Sequence, residues 1–288
     1  MNTLTIRCIS EALSPITHMQ GVSGNEAMIA REPVTTAHGT QWIPFLSGNA
    51  IRHRAIREPG VLWLIQAYGL KGIISLAELN FLMHGGNLTE SNRAEDTGRI
   101  AEMYRTWPLL RLLGGCLPNQ ILAGSLDVWR GVLVCAENTS VLCNDFGLRD
   151  VGLRPSEQWI DGYQYTRSDA KGRALHQTAD AGLFPDKKSN TNLMIFNGQC
   201  VTRGAVFAHG FTCKAVSDLE IGALLWSLRL WQAGGGTIGG QASRGHGRLK
   251  MTLIMDEVLD QDGLCRSYVS HAMSLKDEAV AWLHGAFA

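Results

Sequence analysis

The amino-acid sequence predicts an α+β protein built on the split βαβ, or ferredoxin-like, pattern, and three observations predict it. Segments with the alternating period of strands stand near both ends of the chain, at 3–9 and 248–255. The apolar spacing is helical over 61–113 and returns to the strand period at 117–138. An amphipathic helix opening at Asp218 separates the last two strands. The resulting order is strand–helix–strand–strand–helix–strand, with insertions.

Each element follows from its residues. At 3–9, Leu4, Ile6 and Cys8 alternate with Thr5 and Arg7, as in a half-buried strand. Residues 10–39 lose that period and collect Pro15, Gly21, Ser23, Gly24, Asn25, Pro33 and Gly39, which reads as a long loop. A second strand covers 41–46. Ser47 or Asn49 then caps a helix running to about Glu58, where Pro59-Gly60 stops it. On that helix Ile51 and Ala55 share one face, while His53, Arg54 and Arg57 cluster opposite at ~100° per residue. Residues 61–113 are mostly helical, interrupted by Gly85-Gly86-Asn87. In the strands at 117–138 the inward positions are Ile121, Leu126, Val128, Val132 and Val134. Residues 144–192 are polar and rich in Gly, Asp and Arg, with scattered aromatics (Trp159, Tyr163, Tyr165, Phe184). A patternless stretch of that length is commonly functional, and it reads as an extended hairpin projecting from the body. Regular structure returns at 201–212, and the helix from Asp218 carries Ile221, Leu224, Leu225, Leu228 and Leu230 before Gly234-Gly235-Gly236 stops it. The strand at 248–255 and a short helix at 275–284 close the chain.

Composition bounds the function. At 288 residues the chain suits one large domain or one domain with insertions. No apolar run reaches the roughly 18–20 residues of a membrane span, so no membrane partner is expected. The first residues, Met1-Asn2-Thr3-Leu4-Thr5-Ile6-Arg7, lack the charge-then-apolar layout of a signal peptide. Seven cysteines sit far apart with no Cys-x-x-Cys, which points to reduced, structural thiols and a cytoplasmic protein. A net charge of zero argues mildly against nucleic-acid binding, but the placement of basic residues decides. Arg52, His53, Arg54 and Arg57 form one basic segment, and 241–250, with Arg244, Arg248 and Lys250 and no acid, forms another.

The most informative segment is Gly239-Gly240-Gln241-Ala242-Ser243-Arg244-Gly245-His246-Gly247-Arg248. The preceding Gly234-x-Gly236-x-x-Gly239 formally matches a dinucleotide fingerprint, but it follows a helix and precedes a strand, the reverse of a Rossmann turn. Glycines such as Gly239, Gly240 and Gly245 let backbone approach a sugar-phosphate chain. Ser243 adds a neutral donor, and Arg244, His246 and Arg248 add basic groups. The plain alternative is a flexible connection with coincidental arginines. Ser47-Gly48-Asn49 at a helix start is a place for an anion, with Arg52, Arg54 and Arg57 extending the contact. An ordinary capped surface helix would carry the same residues. No catalytic, metal or cofactor site is expected: there is no nucleophile elbow and no His-x-x-x-His, and His18, His38, His53, His209 and His246 are scattered.

Taken in order, these pieces resemble the RAMP superfamily of CRISPR proteins, in particular the backbone-subunit family called Cas seven. The residues that carry the resemblance are Ile43-Pro44-Phe45-Leu46-Ser47-Gly48-Asn49-Ala50-Ile51-Arg52, the run from Leu113-Gly114-Gly115-Cys116 through Leu126 to Cys135-Ala136-Glu137-Asn138, and Glu220 to Trp231 followed by the glycine-rich segment. The resemblance implies a modified ferredoxin-like, RNA-recognition (RRM) palm at 1–60, 114–153 and 196–288. It also implies a helical insertion at 61–113 and a protruding β-hairpin thumb at 154–195. It implies a non-catalytic subunit that stacks with copies of itself in a filament along the crRNA, grips the sugar-phosphate backbone and presents the spacer to a complementary target nucleic acid. Other CRISPR effector subunits are the remaining implied partners, and the type IV kind is the most similar branch. Two departures stand out. The family's second cation usually comes four residues after the first, whereas position 56 is Ile and Arg57 comes five after Arg52. The target-cleaving type III subunits carry an aspartate after the first strand, whereas 10–39 holds Glu11, Glu26 and Glu32 and no aspartate, which implies no target cleavage. Two other readings stay open: an endoribonuclease of the same fold using Glu26 or His18, and a small-molecule-binding α/β protein.

Overall fold

A computed structural model of the chain describes residues 3–23, 26–37, 39–88, 96–148, 153–167, 194–256 and 258–287. Strand β1 (Thr3–Ala12) outruns the predicted strand and turns Ile6, Cys8, Ser10 and Ala12 inward. The predicted loop at 10–39 is instead mostly strand: β2 (Met19–Ser23) pairs antiparallel with β3 (Glu26–Ile29), and β4 (Arg31–Thr36) with β5 (Gly39–Leu46). Two features hide these strands from the periodicity. The register slips between Met19 and Gly21, which breaks the alternation. Pro33 sits in β4, the outer strand of its sheet, where a missing N–H removes no ladder bond.

Ser47 caps α1 (Gly48–Ile51), its Oγ accepting the Ala50 N–H at 3.2 Å. The helix widens into a π-helical stretch, Arg52–Arg57, and continues as α2 (Glu58–Ala67). Pro59-Gly60 therefore does not stop it. Proline lacks an N–H and its ring crowds the carbonyl four residues back, but the turn ahead of it is paired five apart, Glu58 N–H to the His53 carbonyl, which opens room for the ring. Gly60 serves packing: a Cβ there would collide with Ser227 and lie 2.6 Å from Leu109. Next come α3 (Leu76–His84), with a Ser75–Glu78 capping box and Gly85 as its left-handed terminus, then α4 (Thr97–Thr106) and α5 (Pro108–Leu113).

The middle strands are β6 (Gly115–Leu117), β7 (Gln120–Leu122), β8 (Leu126–Val128) and β9 (Gly131–Leu133). Leu122, Leu126 and Leu133 are buried, Val128, Val132 and Val134 half-buried, and Ile121 exposed. The predicted inward set is partly out of phase because strands of three residues restart the alternation at every turn. After α6 (Thr139–Phe146), β10 (Ile160–Arg167) and β11 (Met194–Val201) pair antiparallel from Ile160↔Val201 to Arg167↔Met194. Residues 168–193 of the predicted thumb lie outside the described residues. The chain ends with β12 (Val206–Lys214), α7 (Asp218–Ala233), β13 (Leu249–Met255), α8 (Gln261–Ser274) and α9 (Lys276–Phe287). Periodicity does not announce α8, whose inward side is only Cys265, Tyr268 and Ala272.

The main sheet runs β13-β1-β12-β9-β5-β4, antiparallel throughout, with β8 also on β12. A second sheet runs β10-β11-β3-β2. Helix α7 packs on α2, α5 and α8, where Trp63 meets Trp226 edge-on. The α+β class is as predicted. Among the described residues no helix is long and apolar enough to cross a membrane.

Candidate nucleic-acid interface

The turn from β5 into α1 opens a polar groove of about 450 Å³ lined by Ser47, Gly48, Asn49, Arg52, Asp127 and Arg130. Gly48 is pressed onto β8, where a Cβ would lie 2.7 Å from the Val128 carbonyl oxygen. Arg130 is matched by Glu32 and lies over the Phe45 ring, and Asp127 is matched by Lys214. Arg52 differs: its Nε is buried without a hydrogen-bond partner, and burial lowers its pKa. An anion in the groove would relieve that deficit.

Two of the predicted contacts have other work. Arg54 pairs with Glu58 at 2.6 Å, one helical turn on. Arg57 turns inward and is 7% exposed. Its Nη1 donates to the Leu82 carbonyl at 2.9 Å and the Phe81 carbonyl at 3.4 Å, and its Nη2 to the Gly114 carbonyl at 3.0 Å. The expectation that Arg57 extends a phosphate contact is corrected: it braces the end of α3 against the strand that follows α5. The π-helical stretch also accounts for the five-residue spacing, since such a turn holds one residue more than an α-turn.

The glycine-rich segment is anchored rather than loose. Gly240 N–H donates to the Thr17 carbonyl at 2.8 Å, and Thr17 Oγ1 returns a bond to the Gly240 carbonyl at 2.6 Å. Gly239 adopts φ +77°, and a Cβ there would lie 2.5 Å from the Thr17 carbonyl oxygen, so both backbone shape and space call for glycine. Gly247 N–H donates to the Pro15 carbonyl at 2.8 Å, and Arg248 N–H to Ser14 Oγ at 3.0 Å. These bonds push out a short turn on which Ser243, Arg244 and Gly245 are exposed, as is Arg248. His246 is half-buried and edge-on to Tyr163 at 5.1 Å; burial, then Arg244, lowers its pKa.

Residues 17–18 join the two halves. Next to Thr17, His18 Nε2 accepts the Ser47 N–H at 3.2 Å. That bond needs an unprotonated Nε2, the form that burial favours by lowering the His18 pKa. The structure thus brings Ser47, Gly48, Asn49 and Arg52 to one side of this joint and Gly239, Gly240, Ser243, Arg244, Gly245, His246 and Arg248 to the other. Sequence reasoning missed Thr17 and named His18 only as a candidate of the endoribonuclease reading, since a lone histidine in an apparent loop gives no signal of a joining role. It also missed an aromatic stack on β10 and β11. Tyr163 and Tyr165 lie parallel at 6.3 Å, and Phe196 stacks on Tyr165 at 5.1 Å. The two-residue spacing of the tyrosines was readable as one strand face, whereas Phe196 joins only through the Tyr165↔Phe196 register.

No family model matches the chain, and no curated protein matches its sequence. Among solved structures, a chain of a Type IV-B CRISPR complex superposes with a TM-score of 0.60 at 13% identity, over 89% of this chain and 92% of that one. The two chains therefore share a fold over nearly the whole length of both.

Proposed function

We propose that the chain is a non-catalytic backbone subunit of a CRISPR effector that oligomerises along crRNA, holds its sugar-phosphate backbone and presents the spacer for pairing with a complementary target. The observation that carries this reading is the near full-length likeness in fold to a chain of a Type IV-B CRISPR complex. The strand order supports it: β13-β1-β12-β9 runs as the fourth-first-third-second order of a split βαβ sheet would. On this reading α2 to α5 would be the helical insertion, and β10 and β11 the base of the thumb. The groove and the glycine segment offer the Ser243 hydroxyl and the guanidinium groups of Arg52, Arg244 and Arg248 to a sugar-phosphate chain, contacts that suit a protein that must accept any spacer. His18, as the neutral acceptor of the Ser47 N–H, holds the site's shape rather than serving as a general base.

The test is purification of the chain expressed with and without a guide RNA, in the cytoplasm, followed by absorbance ratio, nucleic-acid gel and sizing. Guide-length RNA in a large assembly with further copies and other effector subunits is the expected result. A monomer that ignores the guide overturns the reading. A metal-supplemented assay on complementary RNA is expected to show no cleavage, and cutting abolished by His18→Ala would establish the endoribonuclease instead.

A further inference from the structure

We infer that Tyr165 is a positioning residue for Arg244, holding its guanidinium ready for a phosphate of single-stranded RNA; this rests on the function proposed above. The Arg244 guanidinium carbon lies 3.7 Å from the centre of the Tyr165 ring, and Arg244 Nη1 donates to Gln241 Oε1. The ring under it is itself braced. Phe196 stacks with Tyr165 at an interplanar angle of 11°, and Tyr163 lies parallel to it at 6°. Tyr163 in turn covers Gly198, where any Cβ would collide with its ring. Tyr165 therefore has little freedom to swing aside.

The charge on Arg244 is left for a ligand. Arg7, Arg54, Arg105, Arg111, Arg130 and Arg229 each have a carboxylate partner, whereas none pairs with Arg244 among the described residues. A guanidinium carries five N–H groups, so the ring face and the Gln241 bond leave several donors for a phosphate. An unrestrained arginine loses rotamer freedom when it grips an anion; one already lying on a braced ring loses less. The cation–π contact thus contributes to affinity without touching RNA.

The test uses the full chain and fluorescein-labelled single-stranded RNA of guide length, with binding followed by anisotropy over a salt series. Arg244→Ala is expected to weaken binding and lower the salt slope by about 1. Tyr165→Leu is expected to weaken binding about fivefold with the slope unchanged, because the charge remains but must be ordered on binding. Tyr165→Phe should match the wild type, and the Tyr165→Leu/Arg244→Ala double variant should bind no more weakly than Arg244→Ala alone. If Tyr165→Leu unfolds, Tyr165→Met keeps bulk against Phe196 and serves in its place. Wild-type affinity in the leucine or methionine variant, or additive losses in the double variant, overturns the inference alone. Loss of RNA binding altogether by the wild type overturns the proposed function with it.

Discussion

Replacing Arg57 by alanine separates a bracing role from a phosphate contact. The side chain is 7% exposed, and its two shorter bonds, 2.9 Å to Leu82 and 3.0 Å to Gly114, satisfy carbonyls that water does not reach once the arginine fills the space. Orphaning each buried carbonyl costs about 1–3 kcal/mol, and losing the buried methylenes of the stem adds about 2 kcal/mol. Against this stands the burial of the cation. Its pKa is lowered to about 10, first through desolvation and then through Arg52. At ~1.4 kcal/mol per pH unit, that sets about 3 kcal/mol against the charged form, which truncation would recover. The expected net loss is about 3 kcal/mol, read as a lower urea midpoint at an unchanged slope. Arg57→Lys should recover only part of it, because one ammonium cannot span carbonyls on α3 and beyond α5 at once. Unchanged stability together with weaker RNA binding and a lower salt slope in Arg57→Ala would refute the reasoning and return Arg57 to the RNA surface.

Other outcomes follow from the same geometry. His209 is 1% exposed, with Nε2 2.8 Å from Ser10 Oγ, and burial lowers its pKa to about 4. Because the folded ring stays neutral while the unfolded one protonates near 6.5, stability should be full above that pH and fall by ~1.4 kcal/mol per unit down to about pH 4; His209→Gln should flatten that decline relative to wild type in urea titrations at several pH values. Gly60→Ala should lower stability by about 1–3 kcal/mol through overlap with Ser227 and Leu109, measured as a reduced denaturation midpoint. Gly239→Ala should lower stability by about 1–3 kcal/mol through its positive φ and the Thr17 carbonyl, and should weaken RNA binding at every spacer sequence. A loss confined to some spacer sequences would count against backbone readout.

Local chemistry made much of this protein legible in its sequence. The alternation of Leu4, Ile6 and Cys8 announced β1, the Asp218 helix ended at its glycines, and the glycine segment followed a helix and preceded a strand as read. Such features depend on neighbours along the chain, so periodicity and capping reveal them. Pairing between distant segments decided the rest. A register slip at Met19 and an edge proline concealed β2 to β4, and close packing on Ser227 made Gly60 a crossing point within a helix rather than its end. Arg52 and Arg57 are the same residue type five positions apart, yet one lines a groove with an unmatched N–H and the other is enclosed by backbone carbonyls. Residue identities set which groups could meet an anion. Long-range packing sets which of them remain available, because burial and hydrogen bonding to remote backbone fix whether a charge is engaged inside the fold or turned toward a ligand.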